Sequence, residues 1–309
     1  MKSLKLGTRG SALARWQADW VTARLAEHGV AAELVIIKTR GDAEVDRPLQ
    51  QLEGKGFFTK EIEDALLAGR IDVAVHSLKD LATELPTGLS LAAIPERADA
   101  AEALVVGDGA AKATGILLLE AGARLGTSSV RRVAQVKHLR PDLEVVPLRG
   151  NVPTRVKKVK DGDQLDAALL AVAGLARLGL GDAVAARLDP LEVMPAPGQG
   201  ALGLEIRADD RATRQALQPL EHPDSAQSVA AERALLAELD SGCQAAVSAY
   251  VGERMTDDGR RRLFGRVTAP DGSIQLTASS DIDPADPAAA GLNVARLLQA
   301  QGAASLLAR

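Results

Sequence analysis

The chain has 309 residues, a formal net charge of -4 and 46% hydrophobic residues, so it is long enough for two or three domains and has no global attraction for nucleic acid. Its single cysteine excludes an intramolecular disulfide and any Cys-rich zinc or iron–sulfur site, which fits a reducing compartment. No apolar run has the length of a membrane span and the first residues lack the apolar run of a signal peptide, so we expect a cytoplasmic protein without a membrane partner.

Short β-branched runs alternate with helical patterns over about the first two hundred residues, which indicates α/β layers with mostly parallel strands. In the first cycle, Ser11 is the expected N-cap of an amphipathic helix over 12–28, and Thr59 begins a second helix. The strands predicted in this cycle are LKLGT (4–8), AELVIIKT (32–39), IDVAVHSL (71–78) and LSLAAIP (89–95).

A second cycle of the same kind follows. Its predicted strands cover 103–106, 124–128, 143–148 and 166–172, and its predicted helices lie near 115–121, 129–139 and 153–160. MPAPGQGALGLEIR (194–207) breaks this rhythm with prolines and glycines and is typical of a crossover or hinge. Beyond it the pattern changes to a long Ala-rich helix (225–239), three strands with a PDG turn (270–272) between the last two, and a final helix (285–301).

GQGALG at 198–203 matches the glycine spacing of a dinucleotide-binding loop. Such a loop must follow a strand and open a helix, whereas here APAP precedes the glycines and the strand-like ALGLEIR follows them. We therefore expect no nucleotide site at this position.

Arginines and hydroxyl side chains recur where predicted strands pass into helices. In open α/β sheets, ligands bind beyond the carboxyl ends of the strands, and helix N-termini there provide free N–H donors and a positive dipole. Each residue alone is more often a helix cap or a surface ion pair, but repetition at three junctions favours a binding site for a polyanion. The residues are Arg9 and Ser11; Thr127, Ser128, Ser129, Arg131 and Arg132; and Arg149 and Arg155.

VHSLKDL (75–81) forms a fourth junction, at which Ser77, Lys79 and Asp80 follow a buried strand. From spacing alone, a Lys–Asp surface pair that caps a loop is slightly favoured over a functional role. His76 lies within the alternating pattern of the strand, so we expect a core histidine with a hydrogen-bond partner rather than a base.

Cys243, between Gly242 and Gln244, has three interpretations. A lone cysteine is usually a small buried hydrophobe, but it can also be a nucleophile activated by a histidine or the covalent tether of a cofactor. The preceding glycine and the nearby end of a long helix suggest an exposed loop, which weakens the first interpretation.

Taken together, the motifs resemble the porphobilinogen deaminase (hydroxymethylbilane synthase) family over about residues 4–300. They occur in that family's order and spacing, and it is their number that makes the match specific. The motifs are TRGSALARWQA, GKGFFTKEIEDALL, VAVHSLKDL, GTSSVRR, PLRGNVPTR, AVAGLARLGL, PAPGQGALGLEIR and SGCQAAVSAYV.

The resemblance implies a transferase of tetrapyrrole and heme biosynthesis. Such an enzyme joins four porphobilinogen units head to tail on a covalently bound dipyrromethane primer, with loss of ammonia, and releases hydroxymethylbilane by hydrolysis. It also implies that Cys243 carries the dipyrromethane as a thioether and that Asp80, assisted by Lys79, is the catalytic carboxylate. The other cofactor-binding residues implied are Ser77, Thr127, Ser128, Ser129, Arg131 and Arg132, with Lys79 and Asp80 again among them. The substrate-binding residues implied are Arg9, Ser11, Gln17, Lys55, Phe58, Arg149, Arg155, Arg177 and Gln199.

The family fold implies two α/β lobes that resemble type II periplasmic binding proteins and a small C-terminal α+β domain with a three-stranded sheet. The expected boundaries are 1–97 with 198–218 for the first lobe, 98–197 for the second, and 219–309 for the domain that carries the cysteine. The chain departs from the family pattern at Ala82, Ser241 and Pro153. None of these departures removes a side chain assigned to chemistry.

Two other functions remain open at this level. A cytosolic two-lobed binding protein for a small polyanion would use the same lobes and hinge and would not depend on Cys243. A cysteine hydrolase would pair Cys243 with His76 or another histidine. We expect a monomer, because the sequence contains no long exposed apolar stripe.

Overall fold

The structure, a computed structural model, describes residues 3–39, 59–108, 115–162, 164–239, 246–252 and 260–307. The chain forms two compact units. Unit 1 comprises Met1–Ala98 and Gly200–Ala226, and unit 2 comprises Asp99–Gln199 and Gln227–Arg309. The chain returns from unit 2 to unit 1 between Gln199 and Gly200, inside the Pro- and Gly-rich segment predicted as a crossover. The division into three domains stays a prediction.

The helices and strands follow the two predicted cycles. The first contains β1 (Leu4–Thr8), α1 (Ala12–Glu27), β2 (Ala32–Ile36), α2 (Lys60–Leu67), β3 (Val73–Ser77), a 3-10 turn (Leu78–Asp80) and β4 (Leu89–Ala93). The second contains β5 (Glu102–Val106), β6 (Arg124–Gly126), α3 (Val130–Leu139), β7 (Glu144–Val146), α4 (Val152–Lys160), β8 (Ala167–Ala171), α5 (Val172–Arg177) and β9 (Val184–Arg187). The remainder contains β10 (Leu202–Arg207), α6 (Arg211–Leu217), α7 (Pro223–Glu238), β11 (Val247–Gly252), β12 (Arg262–Thr268), β13 (Gln275–Asp281), α8 (Pro287–Ala300) and α9 (Ala303–Leu307).

The two five-stranded sheets of the described chain have the same arrangement of strand directions, although the antiparallel strand comes last in chain order in unit 1 and first in unit 2. Their strand orders are β2-β1-β3-β10-β4 in unit 1 and β7-β6-β8-β5-β9 in unit 2. In each sheet four strands run in one direction, while β10 or β5 runs antiparallel to both of its neighbours. The predicted class, α/β layers with mostly parallel strands, is confirmed.

Each of these sheets is covered on both faces, which explains the continuous apolar runs of its strands. Side chains alternate along a strand, so Val73 and Val75 of β3 pack with α1 on one face and Ala74 packs with α2 on the other. In unit 2, Leu104 and Ala103 of β5 divide in the same way between two apolar clusters.

A separate antiparallel sheet, in the order β11-β12-β13, lies in unit 2 and packs against α8. Its core is formed by Leu235 of α7, Leu263 of β12 and Val294 of α8, among others. The predicted small α+β region with three strands is confirmed, and its PDG turn follows β12 as expected. No helix in the described part of the chain is both long and apolar enough to cross a membrane.

One predicted element differs from the fold, and four short elements were not predicted. The helix predicted near 115–121 is only a short 3-10 turn (Ile116–Leu118). The short helices α5, α6 and α9 and the edge strand β9 were not predicted. These elements have few residues, so their periodicity is too brief to identify, and the contacts of the surrounding sheet determine them.

Candidate active site

A pocket in unit 1 lies beyond the carboxyl ends of β1 and β3, which are neighbours in the sheet. It contains about 440 Å³ of empty space, part of it open to solvent. Its lining residues are Arg9, Ser11, Leu13, Ala14, Gln17, Thr59, Ile62, Val75, His76, Ser77 and Asp80. The structure thus brings together five residues predicted from sequence: Arg9, Ser11, Gln17, Ser77 and Asp80.

Local hydrogen bonds fix the wall of this pocket that α1 contributes. Ser11 is the N-cap of α1, and its Oγ accepts from the backbone N–H of Ala14 at 3.2 Å. Gln17, on the buried side of the same helix, donates from Nε2 to Ser77 Oγ at 3.0 Å. The helix is therefore held to the end of β3, next to the segment that carries Asp80.

Asp80 lies at the end of the 3-10 turn that follows β3. Leu78 anchors this turn because its side chain is buried and its N–H donates to the carbonyl of Ala201 at 3.1 Å. Lys79 and Asp80 are both exposed, and Asp80 lines the pocket. A carboxylate is thus available to a bound molecule on a short, anchored turn.

His76 is buried, with 5% of its surface exposed, and its Nε2 lies 2.9 Å from Oε2 of the fully buried Glu205 on β10. The prediction of a core histidine with a partner is confirmed. Burial raises the pKa of the nearby Glu63 on α2, and the Glu205 carboxylate adds to this effect.

Two arginines of unit 2 are buried and paired with a carboxylate. Arg131 and Arg132, in the first turn of α3, share one buried carboxylate, that of Glu102 on β5. Arg131 donates from Nη2 to Glu102 Oε1, and Arg132 donates from Nη2 to Glu102 Oε2, both at 2.6 Å. We call these three side chains the cation cluster.

The cation cluster carries one positive charge more than its carboxylate neutralises. Burial lowers the pKa of Arg131, although the adjacent Glu102 opposes this shift. Arg132 is only 6% exposed, and its buried Nε has no hydrogen-bond partner in the described structure. An anionic group would supply both the missing charge and an acceptor.

Two loops adjoin the N-terminus of α3. Ser128 Oγ donates to the carbonyl of Leu148 and accepts from its N–H, both at 3.0 Å, which ties the β6–α3 loop to the loop that follows β7. In the latter loop Gly150 has a φ of 115°, a conformation that favours glycine. Its carbonyl accepts from Arg155 Nε at 2.7 Å. Pro153 lies in the first turn of α4, where its missing N–H costs nothing.

The remaining predicted residues divide into three groups. Thr127, Ser129 and Arg149 lie in these same two loops of unit 2, and Arg177 ends α5, where burial lowers its pKa to about 10. Gln199 is 0% exposed and donates to the carbonyl of Ala100 at 2.8 Å, so contact with substrate finds no support here. Lys55, Phe58 and Cys243 lie outside the described residues.

Comparison with known proteins decides the family. The model described as "Porphobilinogen deaminase, dipyromethane cofactor binding domain" matches residues 4–215, and "Porphobilinogen deaminase, C-terminal domain" matches 226–300. The chain belongs to the porphobilinogen deaminase family. Porphobilinogen deaminase of Geobacter metallireducens is 45% identical over 99% of this chain and 94% of its own. That of Chromobacterium violaceum is 46% identical over 100% and 98%.

Solved structures similar to this chain include the Bordetella pertussis BvgS periplasmic VFT2 domain. The two share 14% sequence identity with a TM-score of 0.42, over 74% of this chain and 93% of that chain.

Membership of the porphobilinogen deaminase family confirms the predicted transferase of tetrapyrrole biosynthesis and the dipyrromethane cofactor. The residues of the cation cluster fit that cofactor in their charge. The cation cluster keeps a surplus positive charge and an unpaired buried N–H donor, which suits a group that carries acetate and propionate arms.

Three buried polar residues near these sites were not identified from sequence: Glu102, Gln135 and Glu205. A signal existed for Glu102 and Glu205, because each interrupts an apolar strand, in AEALVV and ALGLEIR. A charged residue within a buried strand requires a partner. The sequence does not show which residue that partner is.

Proposed function

We propose that this chain joins four porphobilinogen units head to tail on a primer carried by Cys243, with loss of one ammonia per unit, and then releases hydroxymethylbilane by hydrolysis. The observation that carries the assignment of residues is the pocket of unit 1, where Arg9, Ser11, Gln17 and Ser77 surround Asp80. When bound, dipyrromethane supplies the free pyrrole carbon at which chain growth begins.

Asp80 acts on the pyrrole ring of the substrate. Its exposed carboxylate accepts hydrogen bonds from the ring N–H and stabilises the positive charge that develops as the aminomethyl group leaves as ammonia. The same carboxylate can accept the proton released when the new carbon–carbon bond forms. Lys79 assists from the adjacent position on the turn.

Cationic and hydroxyl side chains bind the acetate and propionate arms. A guanidinium forms two parallel hydrogen bonds to a carboxylate, so arginine suits this task better than lysine. Arg177 remains charged at neutral pH despite its lowered pKa, and a bound carboxylate would offset the cost of its burial. The binding residues we assign to cofactor and substrate are Arg9, Ser11, Ser77, Thr127, Ser128, Ser129, Arg131, Arg132, Arg149, Arg155 and Arg177, with Gln17, Lys55 and Phe58 assisting.

The mass of the intact, denatured protein tests this function. The parent should exceed its polypeptide mass by two porphobilinogen units less two ammonias, and Cys243→Ser should show no excess. The parent should also release ammonia from porphobilinogen. A parent that stays at polypeptide mass after incubation with porphobilinogen would refute the assignment of Cys243, and a loaded parent that releases no ammonia would refute the reaction.

We also propose that the protein is a cytoplasmic monomer with no nucleic-acid or membrane partner. Supporting this, Trp16, Ile36, Leu67, Ile274 and Leu297, the exposed large apolar residues of the described chain, are spread over different elements and form no stripe. Light scattering should give the mass of one chain, and a concentration-independent dimer would contradict this.

A further inference from the structure

Gln135 lies one turn after Arg131 on α3, is 0% exposed, and has no role in the mechanism above. Its amide uses its full hydrogen-bonding capacity of two donors and two acceptor lone pairs. Nε2 donates to the carbonyl of Met194 at 2.9 Å and to Ser248 Oγ at 3.2 Å. Oε1 accepts from the N–H of Met194 at 2.8 Å and from Arg266 Nη1 at 3.1 Å.

Two of these partners belong to the antiparallel sheet. Ser248 is on β11, which begins four positions after Cys243 in the sequence, and Arg266 is its cross-strand neighbour on β12. Arg266 also donates to the carbonyls of Leu191 and Glu192, at 2.7 and 2.8 Å. The sheet that continues from the cysteine-bearing segment is therefore joined to α3 through Gln135.

The other partner leads to the cation cluster. The carbonyl of Met194 accepts from Gln135 Nε2 at 2.9 Å and also from Arg131 Nη1 at 2.6 Å. Arg131 in turn binds Glu102, which binds Arg132. One continuous buried network of hydrogen bonds thus connects Ser248 and Arg266 to both guanidinium groups.

We propose that Gln135 is a positioning residue that fixes Arg131 and Arg132 relative to the sheet following Cys243, so that attachment of the dipyrromethane depends on it. This inference rests on the proposed function, which assigns both arginines to the cofactor. An apolar residue of the same size would leave the N–H of Met194 and one donor of Arg266 without an acceptor. The network would then rearrange, and a shift near 1 Å can slow a positioned reaction by about a hundredfold.

Loading of the cofactor measures this effect directly. Apoprotein is produced in a host that makes no porphobilinogen and is then mixed with porphobilinogen, and the gain in intact mass is followed with time. We expect Gln135→Met to load about tenfold to a hundredfold more slowly than the parent. Ser248→Ala removes a single hydrogen bond and should slow loading less, and it serves as the test if Gln135→Met fails to fold.

Val136→Ala is the matched control, because Val136 is the next residue of α3, is 0% exposed and packs in an apolar cluster outside the network. It should lower the melting temperature by an amount comparable to that of Gln135→Met, yet load at close to the parental rate. Equal slowing in both variants would mean that loading reports only stability and would overturn the inference.

A double-mutant cycle with Arg131→Met separates the inference from the proposed function. If Gln135 acts through Arg131, Gln135→Met should cause little further slowing once Arg131 is replaced. If Arg131→Met loads slowly while Gln135→Met loads at the parental rate, the inference is refuted and the proposed function is not. The same holds if the two substitutions slow loading by factors that multiply in the double mutant. Parental loading of Arg131→Met would refute the assignment of Arg131 to the cofactor and the inference with it.

Discussion

The pocket of unit 1 and the cation cluster of unit 2 both lie beyond the carboxyl ends of parallel strands, but their charged groups differ in exposure and in pairing. Asp80 is exposed on a short turn, whereas Arg131 and Arg132 are buried and already share Glu102. An exposed carboxylate costs the fold little and is available for proton transfer. Buried guanidinium groups need a fixed anionic partner, which also holds them in place before any ligand arrives.

Asp80 in the unit 1 pocket should give the strongest response to substitution. Asp80→Asn keeps the size of the side chain but removes its charge and basicity, so kcat should fall about 10²- to 10⁴-fold. Because Asp80 is exposed, the melting temperature should stay near that of the parent. Glu84→Gln, which neutralises another exposed carboxylate nearby, is the control and should retain kcat. A kcat for Asp80→Asn close to that of the parent would refute its role.

In unit 2, we expect substitution of the cation cluster to lower the stability of the protein. Glu102→Gln removes the carboxylate shared by two buried guanidinium groups, so the free energy of unfolding should fall by about 3–5 kcal/mol. Chemical denaturation measures it. Asp281→Asn breaks the partly exposed Arg262–Asp281 pair and should cost at most about 1 kcal/mol. Equal losses in the two variants would show that Glu102 does not hold the cation cluster as described.

The smallest effect concerns Glu63, a buried carboxyl that follows the pocket-lining Ile62 on α2. Its pKa is raised by burial, so the folded state binds the proton more tightly than the unfolded state. Its contribution to stability is full below the unfolded pKa of about 4.3 and is lost as pH rises through the folded pKa. Glu63→Gln should therefore be more stable than the parent at pH 7, and near pH 4 the two proteins should be equally stable. The gain at pH 7 should be smaller than the loss caused by Glu102→Gln. A parent more stable than Glu63→Gln at pH 7 would contradict this prediction.

Much of the fold could be predicted because its strands carry clear patterns. Continuous apolar runs such as VAVHS and AALLA indicated buried strands, and Ser11 and Thr59 marked where helices begin. The direction of β10 could not be predicted, since an apolar run reads the same in parallel and antiparallel sheets. Only the return of the chain to unit 1 places β10 between β3 and β4.

The candidate site was predictable to the level of residue type. Sequence placed Arg9, Ser11, Ser77 and Asp80 at strand ends, and the order of β1 and β3 in the sheet then brought them into one pocket. The same reasoning predicted that Gln199 binds substrate and did not predict that its side chain is fully buried. A glutamine in a Gly-rich crossover can bind a ligand or backbone equally well, and the choice depends on the carbonyl of Ala100, which is distant in sequence.

The sequence was sufficient to predict the α/β class, the resemblance to the family and the single cysteine that can carry a cofactor, because strand periodicity and ordered motifs are local properties of the chain. The tertiary structure alone decided which groups share a partner: His76 with Glu205, the two arginines with Glu102, and Gln135 with the antiparallel sheet. Each of these contacts joins residues at least 29 positions apart. Such pairings follow from how sheets and helices pack, and no local pattern records them.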